Sequence, residues 1–222
     1  MGTVVVLGAS RGIGLEFVKQ YRDAGERVIA TARDDAGLAR LRALGATALR
    51  LDVADAPSIA GLAWQLDGEK IDIALYVAGV ISRHDAHTPP THVEFDRVMH
   101  TNVLGAMQAI PQVAPLVEVA LGRFAFISSQ MGRIAEVGAS GCWTYRVSKA
   151  ALNMAVASAQ SAYPQAILVA MSPGWVQTDM GGPGATLGVE ASVAAMRGAI
   201  DRLTPADRGA FLDHDGSRFA GW

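Results

Sequence analysis

Short runs of Val, Ile, Leu and Ala alternate along the chain with longer segments whose apolar residues return every three or four positions. The runs are TVVVLG, RVIATA, ATALRLD, IDIALYVAG, RFAFISS and AILVAMSPG. They are apolar throughout rather than at every second residue, which marks strands covered on both faces, and strands separated by helices run parallel. The pattern predicts an α/β fold: a doubly wound parallel sheet flanked by helices on both faces. A first helix is expected from about Gly12 through IGLEFVKQYRDAG, with Ile13, Phe17 and Tyr21 on one face and Gly25 as its stop. A second is expected near AGLARLRALG. From Val93 to Gly122 the period is again helical, but Pro111 and Pro115 each remove a backbone donor, so this helix is expected to bend. The segment from Tyr145 to about Ala162 is nearly free of breakers, and its alanines would let another helix approach closely, as at a dimer face. The last dozen residues, FLDHDGSRFAGW, read as a short strand and a tail.

Composition narrows the picture. The chain has 222 residues, half of them apolar, which suits one compact domain over residues 1–222. No repeat, linker or composition shift marks a second domain. A net charge of -2 with scattered Lys and Arg gives no footprint for nucleic acid or an anionic membrane. No apolar run approaches the roughly 18 residues of a membrane span. The single cysteine, Cys142, rules out an internal disulfide, and MGTVVVLGAS lacks the basic start and long apolar stretch of a signal peptide, so the cytoplasm is the expected compartment.

The strand TVVVL runs into Gly8, Ala9, Ser10, Arg11, Gly12, Ile13 and Gly14, a G-x-x-x-G-x-G spacing that opens the first helix. Gly8 permits a tight turn, Gly12 lets backbone N–H groups approach a pyrophosphate at the positive helix end, and Gly14 allows close helix–strand packing. The missing Gly-Lys-Ser/Thr ending excludes a phosphate loop of the NTPase kind. A dinucleotide site must also treat the adenosine ribose. An acid about 20 residues beyond the glycines suits NAD, and an Arg suits the 2'-phosphate of NADP. Here the second strand ends TARDD, with Ala32 near the acid's place and Arg33 after it, and Ser10 and Arg11 on the same side. NADP(H) is favoured and NAD(H) remains open, since Asp34 or Asp35 could reach a ribose hydroxyl.

In TYRVSK, Tyr145 and Lys149 lie four apart and project from one helix face. A phenol titrates near pH 10, too high for easy proton exchange, and a neighbouring ammonium is expected to lower that value. Upstream, FAFISSQMG ends a strand in Ser128 and Ser129, at the carboxyl edge where such sheets bind ligands.

With the glycine turn, Asn102 in HTNVLGA, the YVAG strand end and SPGWVQTDM, this set resembles the short-chain dehydrogenase/reductase family over essentially the whole chain. The resemblance implies a Rossmann-type oxidoreductase interconverting a carbonyl and an alcohol. Tyr145 would be the acid/base, Lys149 would lower its pKa and hold the nicotinamide ribose, and Ser129 would orient the substrate oxygen. Asn102 would interrupt its helix and hold a relay water. Asp52 would meet the adenine amine, with Val53 near its ring. Ala78 and Gly79 match the last two positions of the family's Asn-Asn-Ala-Gly pattern, while Tyr76 and Val77 replace its asparagines. Pro173 and Gly174 would turn the chain under the nicotinamide, with Val176 and Thr178 at its carboxamide. The stretch from Ser129 to Tyr145 is a few residues longer than usual, and with YRVSKAALN and PGWVQTDMGG it is similar to the C-factor and sniffer-like carbonyl reductases. Ser129 is preferred over Ser128 by motif alignment alone, with Ser140 a distant third. A long substrate lid is not expected after Thr178. Family resemblance also implies a homodimer or homotetramer, and C-factor's link to signalling supplies a rival: a dinucleotide-binding regulatory protein with little turnover.

Other side chains invite functions that plain packing explains as well. His84, His87, His92 and His100 lack zinc-ligand spacing, so no metal site is expected. Cys142 reads as a small packed thiol. Met131, Trp143 and Trp175 are candidates for an apolar substrate wall.

Overall fold

A computed structural model describes residues 1–222. Seven parallel strands form one sheet: β1 (Thr3–Leu7), β2 (Arg27–Ala32), β3 (Thr47–Arg50), β4 (Ile73–Tyr76), β5 (Arg123–Ile127), β6 (Ile167–Met171) and β7 (Phe211–Leu212). Their spatial order is 3-2-1-4-5-6-7. The chain winds outward from β1 to β3, returns to place β4 on the other side of β1, and winds outward again. The carboxyl ends of β1 and β4 therefore diverge into loops of opposite sense, leaving a crevice at the switch point. This is the Rossmann-type architecture the apolar runs predict.

Successive residues of β1 explain why those runs are continuous. Val4 and Val6 pack into one core with Phe17, Val18 and Tyr21 of α1 (Gly12–Asp23), Leu38 and Leu41 of α2 (Asp35–Ala43), and Val193 and Met196 of α8 (Val189–Asp201). Val5 and Leu7 pack into a second core on the opposite face, with Ile59 of α3 (Ala56–Ala60), Leu62 of α4 (Leu62–Gln65), Val113 and Val117 of α6 (Gly105–Val119), and Leu152 and Val156 of α7 (Trp143–Ala159). The remaining helix, α5 (His92–Met99), leads into α6. Burying one such Val, Leu or Phe stabilises the fold by roughly 1.5–3 kcal/mol, which is why both faces stay apolar. No helix is long and apolar enough to cross a membrane.

The helix from Val93 to Gly122 departs from expectation. The helix is not broken at the prolines: α6 runs continuously through Pro111 and Pro115, both exposed. The break lies upstream, in a π-helical turn over His100–Leu104 that carries Asn102. The short helices α3 and α4 were not distinguished by the sequence pattern. Helix α1 stops as expected, with Gly25 at φ +81°.

Candidate active site

The glycine turn joins β1 to α1 at the crevice. Gly8 has φ +88°, and a Cβ there would stand 2.6 Å from the backbone of Ala78, so its absence lets the ends of β1 and β4 touch. Its N–H donates to the buried Thr31 hydroxyl at 3.0 Å. A Cβ on Gly14 would lie 2.3 Å from the Gly8 carbonyl oxygen, which makes glycine obligatory for that packing. Helix α1 begins at Gly12 with no side-chain cap and no acid in its first turn. Its first amides, from Gly12 onward, are thus not claimed by any side chain and carry the positive end of the helix dipole. Beside Gly12 the nearest atom to a Cβ is the Thr178 methyl, at 3.6 Å. This cradle fits a pyrophosphate.

From the turn a cavity of about 440 Å³ runs across the strand ends. At one end it is walled by Ser10, Arg11, Ile13, Arg33, Asp52 and Val53. The acids that left NAD open are otherwise engaged. Asp34 caps α2 by accepting from the Gly37 N–H at 2.7 Å, and Asp35 is paired with Arg50. Two cations not foreseen from sequence converge here: Arg40 donates from Nε to the Ser10 carbonyl at 3.0 Å, and Arg50 to the Arg33 carbonyl at 2.8 Å. They lie on α2 and at the end of β3, so only strand order brings them to the turn. Arg11 meets Asp179 at 3.1 Å, with both side chains exposed. The guanidiniums and the missing strand-end acid fit a 2'-phosphate better than a bare ribose hydroxyl.

At the other end lie Tyr145 and Lys149, one turn apart on α7, 7% and 4% exposed. The Ser129 hydroxyl faces the phenol and favours its ionised form. Burial outweighs that influence and pushes the phenol up to about 12. The same burial lowers the Lys149 ammonium to about 7. The expectation that Lys149 pulls the phenol down is therefore not met in the chain alone. Its Nζ donates to the Ile127 carbonyl at 2.7 Å and stands 5.6 Å from the ring centroid, and its own charge is costly in this dry site. The strand-end serines are distinguished by partners. Ser128 reaches the cavity wall, but its hydroxyl donates to Asn153, buried on α7. Ser129 starts a 3₁₀ turn, Gln130–Gly132, by accepting from the Met131 N–H at 3.1 Å.

Asn102 is fully buried behind the wall, and its side chain is fully committed. Oδ1 accepts from the Val80 N–H at 2.8 Å, while Nδ2 donates to the Val80 carbonyl and the Ser148 hydroxyl, each at 2.9 Å. A relay water would have to meet its backbone carbonyl rather than its amide. Ala78 and Gly79 line the cavity between these groups, and a Cβ on Gly79 would stand 3.6 Å from Lys149 Nζ. Pro173 and Thr178 close the far side. Gly174, at φ +78°, packs against Leu187 and His214, and the buried Val176 bridges to Leu187, so neither reaches the cavity wall. Gln177, Asp179, Met180 and Val189 do reach it and carried no sequence signal.

Met131, Trp143 and Trp175 do not line the cavity either. Trp175 is 57% exposed, its Nε1 donating to the Gly181 carbonyl at 3.0 Å. Cys142 is partly buried and left-handed, φ +58°, at the start of α7. Of the histidines at 84, 87, 92 and 100, His84 lies 3.6 Å from Glu94, and no cluster of three or more His, Cys, Asp or Glu converges.

Comparison with known proteins agrees with this geometry. Residues 2–185 match the short chain dehydrogenase family. The chain is 39% identical over 150 residues to C-signal of Myxococcus xanthus, covering 66% of this chain and 90% of that protein. A short-chain dehydrogenase/reductase of Burkholderia multivorans solved with bound NADP superposes with a TM-score of 0.88 at 31% identity, over 100% of this chain and 99% of that one. The carbonyl reductase Sniffer of D. melanogaster superposes with a TM-score of 0.91 at 26% identity, over the whole of both chains.

Proposed function

The chain belongs to the short-chain dehydrogenase/reductase family, and from that membership we propose that it is an NADP(H)-dependent oxidoreductase interconverting a carbonyl and an alcohol. One observation carries the reading: Tyr145, with the Ser129 hydroxyl beside its phenol, and Lys149 stand at one end of a cavity whose other end is an uncapped helix terminus flanked by Arg11 and Arg33. The NADP bound by the Burkholderia relative supports the cofactor, and the name of the Sniffer relative supports a carbonyl substrate.

In this reading the first amides of α1 take the pyrophosphate, and Arg33 with Arg40 takes the 2'-phosphate. Asp52 and Val53 border the adenine, and Pro173 and Thr178 border the nicotinamide. The cofactor supplies or accepts the hydride. Ser129 holds the substrate oxygen beside the phenol, and Tyr145 gives that oxygen its proton as it becomes an alcohol. A phenol held up at about 12 in the chain alone is present in its protonated form across the physiological range, the form that reduction requires of it. Lys149 anchors the ribose, held by the Ile127 carbonyl.

The likeness to C-signal favours a second reading, a nucleotide-binding signalling protein with incidental turnover. A sensor needs the glycine turn but has no chemical use for Tyr145 beside Ser129. We also propose a homodimer or homotetramer contact through α6 and α7, supported by Met107, Val147 and Met154, large apolar side chains left 52%, 45% and 66% exposed, and propose the cytoplasm as the compartment.

The test is NADPH oxidation with a panel of aliphatic, aromatic and dicarbonyl substrates, by the wild type and by Tyr145→Phe. The enzyme reading expects turnover by the wild type, and a variant that still binds NADPH but has lost at least about a hundredfold in kcat. Tight binding without turnover on any substrate would favour the signalling reading.

A further inference from the structure

Tyr76 ends β4 with no exposed surface, stacked on Phe126 at 6.0 Å between ring centroids. Its hydroxyl reaches out of the core and donates to the backbone carbonyl of Thr101 at 2.7 Å. That carbonyl lies in the π-turn, where the Gly105 N–H bonds back five residues to His100 instead of four to Thr101. The π-turn thus takes from Thr101 the donor that a regular helix would provide, and Tyr76 replaces it from the strand end. Gly105 belongs to the same arrangement, because a Cβ there would stand 2.5 Å from the Tyr76 hydroxyl.

The π-turn has a functional consequence. It presents Asn102, whose side chain bonds both backbone groups of Val80, at the cavity wall, and the hydroxyl of Ser148 on α7. Ser148 in turn donates to the backbone carbonyl of Tyr145 at 2.7 Å. A continuous chain of hydrogen bonds and backbone therefore runs from Tyr76 through Thr101, Asn102 and Ser148 to Tyr145.

We propose that Tyr76 is a positioning residue: by holding the Thr101 carbonyl it fixes the π-turn, and through Asn102 it sets Val80 and the acid/base helix against the cavity. The inference rests on the oxidoreductase reading for its effect on turnover. Tyr76→Phe removes one oxygen and keeps the ring and its stacking. It should lower kcat about tenfold, as expected for leaving one partly buried carbonyl unpaired in a coupled network, with the NADPH Kd within about twofold. Exchange of the Val80 amide, read by NMR, should quicken by about tenfold while that of Ala125 in β5 does not change. In an Asn102→Ala background, Tyr76→Phe should cost kcat nothing further.

Unchanged Val80 exchange, or a kcat loss repeated in full in the Asn102→Ala background, would overturn the proposal and leave the hydroxyl as a plain partner for a partly buried carbonyl. Should Tyr76→Phe be too unstable to study alone, it is compared with the wild type in saturating NADPH, which stabilises the fold by mass action, and Val80 exchange is read there. A wild type that reduces no carbonyl would sink the enzyme reading alone, since Val80 exchange needs no turnover and still decides the role of Tyr76.

Discussion

Lys149 should make the cofactor-free protein more stable as pH rises. Burial alone lowers its ammonium to about 7 in the folded chain, against 10.5 for an ordinary lysine. Between those values the unfolded chain holds a proton that the native chain has released, so unfolding takes up protons and raising the pH favours the fold. Mid-window the slope approaches about 1.4 kcal/mol per pH unit, and from pH 7 to 9.5 the gain is about 3 kcal/mol. In a chain of this size that is roughly 6–12 °C in Tm. Glu69, Asp207 and Asp215 titrate below this range and Lys19 and Arg27 above it, while the tyrosines 21, 76, 145 and 163, held up in the fold, begin to ionise in the unfolded chain near its upper end and offset less than about 1 kcal/mol of the gain. The assay is urea unfolding of the cofactor-free protein at half-unit intervals from pH 7 to 9.5, for the wild type and Lys149→Met. The variant should flatten the profile and be the more stable of the two at pH 7. A flat wild-type profile, or a slope that survives in the variant, would refute the reasoning and mean that Lys149 stays charged in the fold.

Three further outcomes follow from the site. Ser129→Ala should lower kcat by about a hundredfold or more, whereas Ser128→Ala should leave kcat near wild type and destabilise by about 1–3 kcal/mol, because Asn153 loses its partner; steady-state kinetics with urea unfolding would expose the reverse assignment. Arg33→Ala or Arg40→Ala should each raise the KM for NADPH about tenfold and leave that for NADH unchanged, the loss of one charge-assisted contact to a phosphate. Equal losses with both cofactors would remove these residues from the 2'-phosphate. Gly14→Ala should destabilise by about 1–3 kcal/mol and abolish NADPH binding, measured by calorimetry, since the new methyl meets backbone rather than a yielding side chain.

The sequence by itself determined the strands, the main helices and the glycine turn, because each is written in residues close together in the chain. A short β-branched run ending in glycine, such as TVVVLG, reads as a strand covered on both faces, and Val4 and Val5 do enter opposite cores. Gly14 admits no side chain, and Tyr145 and Lys149 share a face through the helical period alone. What lay beyond it depends on neighbours distant in the chain. Whether Ser128 or Ser129 faces the phenol turns on Asn153 from another element, and Arg40 reaches Ser10 only because β2 lies beside β1. The prolines of α6 do not break it, and both lie on its exposed face, which no local rule states. The acidity of Tyr145 and Lys149 was decided by the tertiary structure as well: spacing puts an ammonium near a phenol, but burial moves both groups toward their uncharged forms.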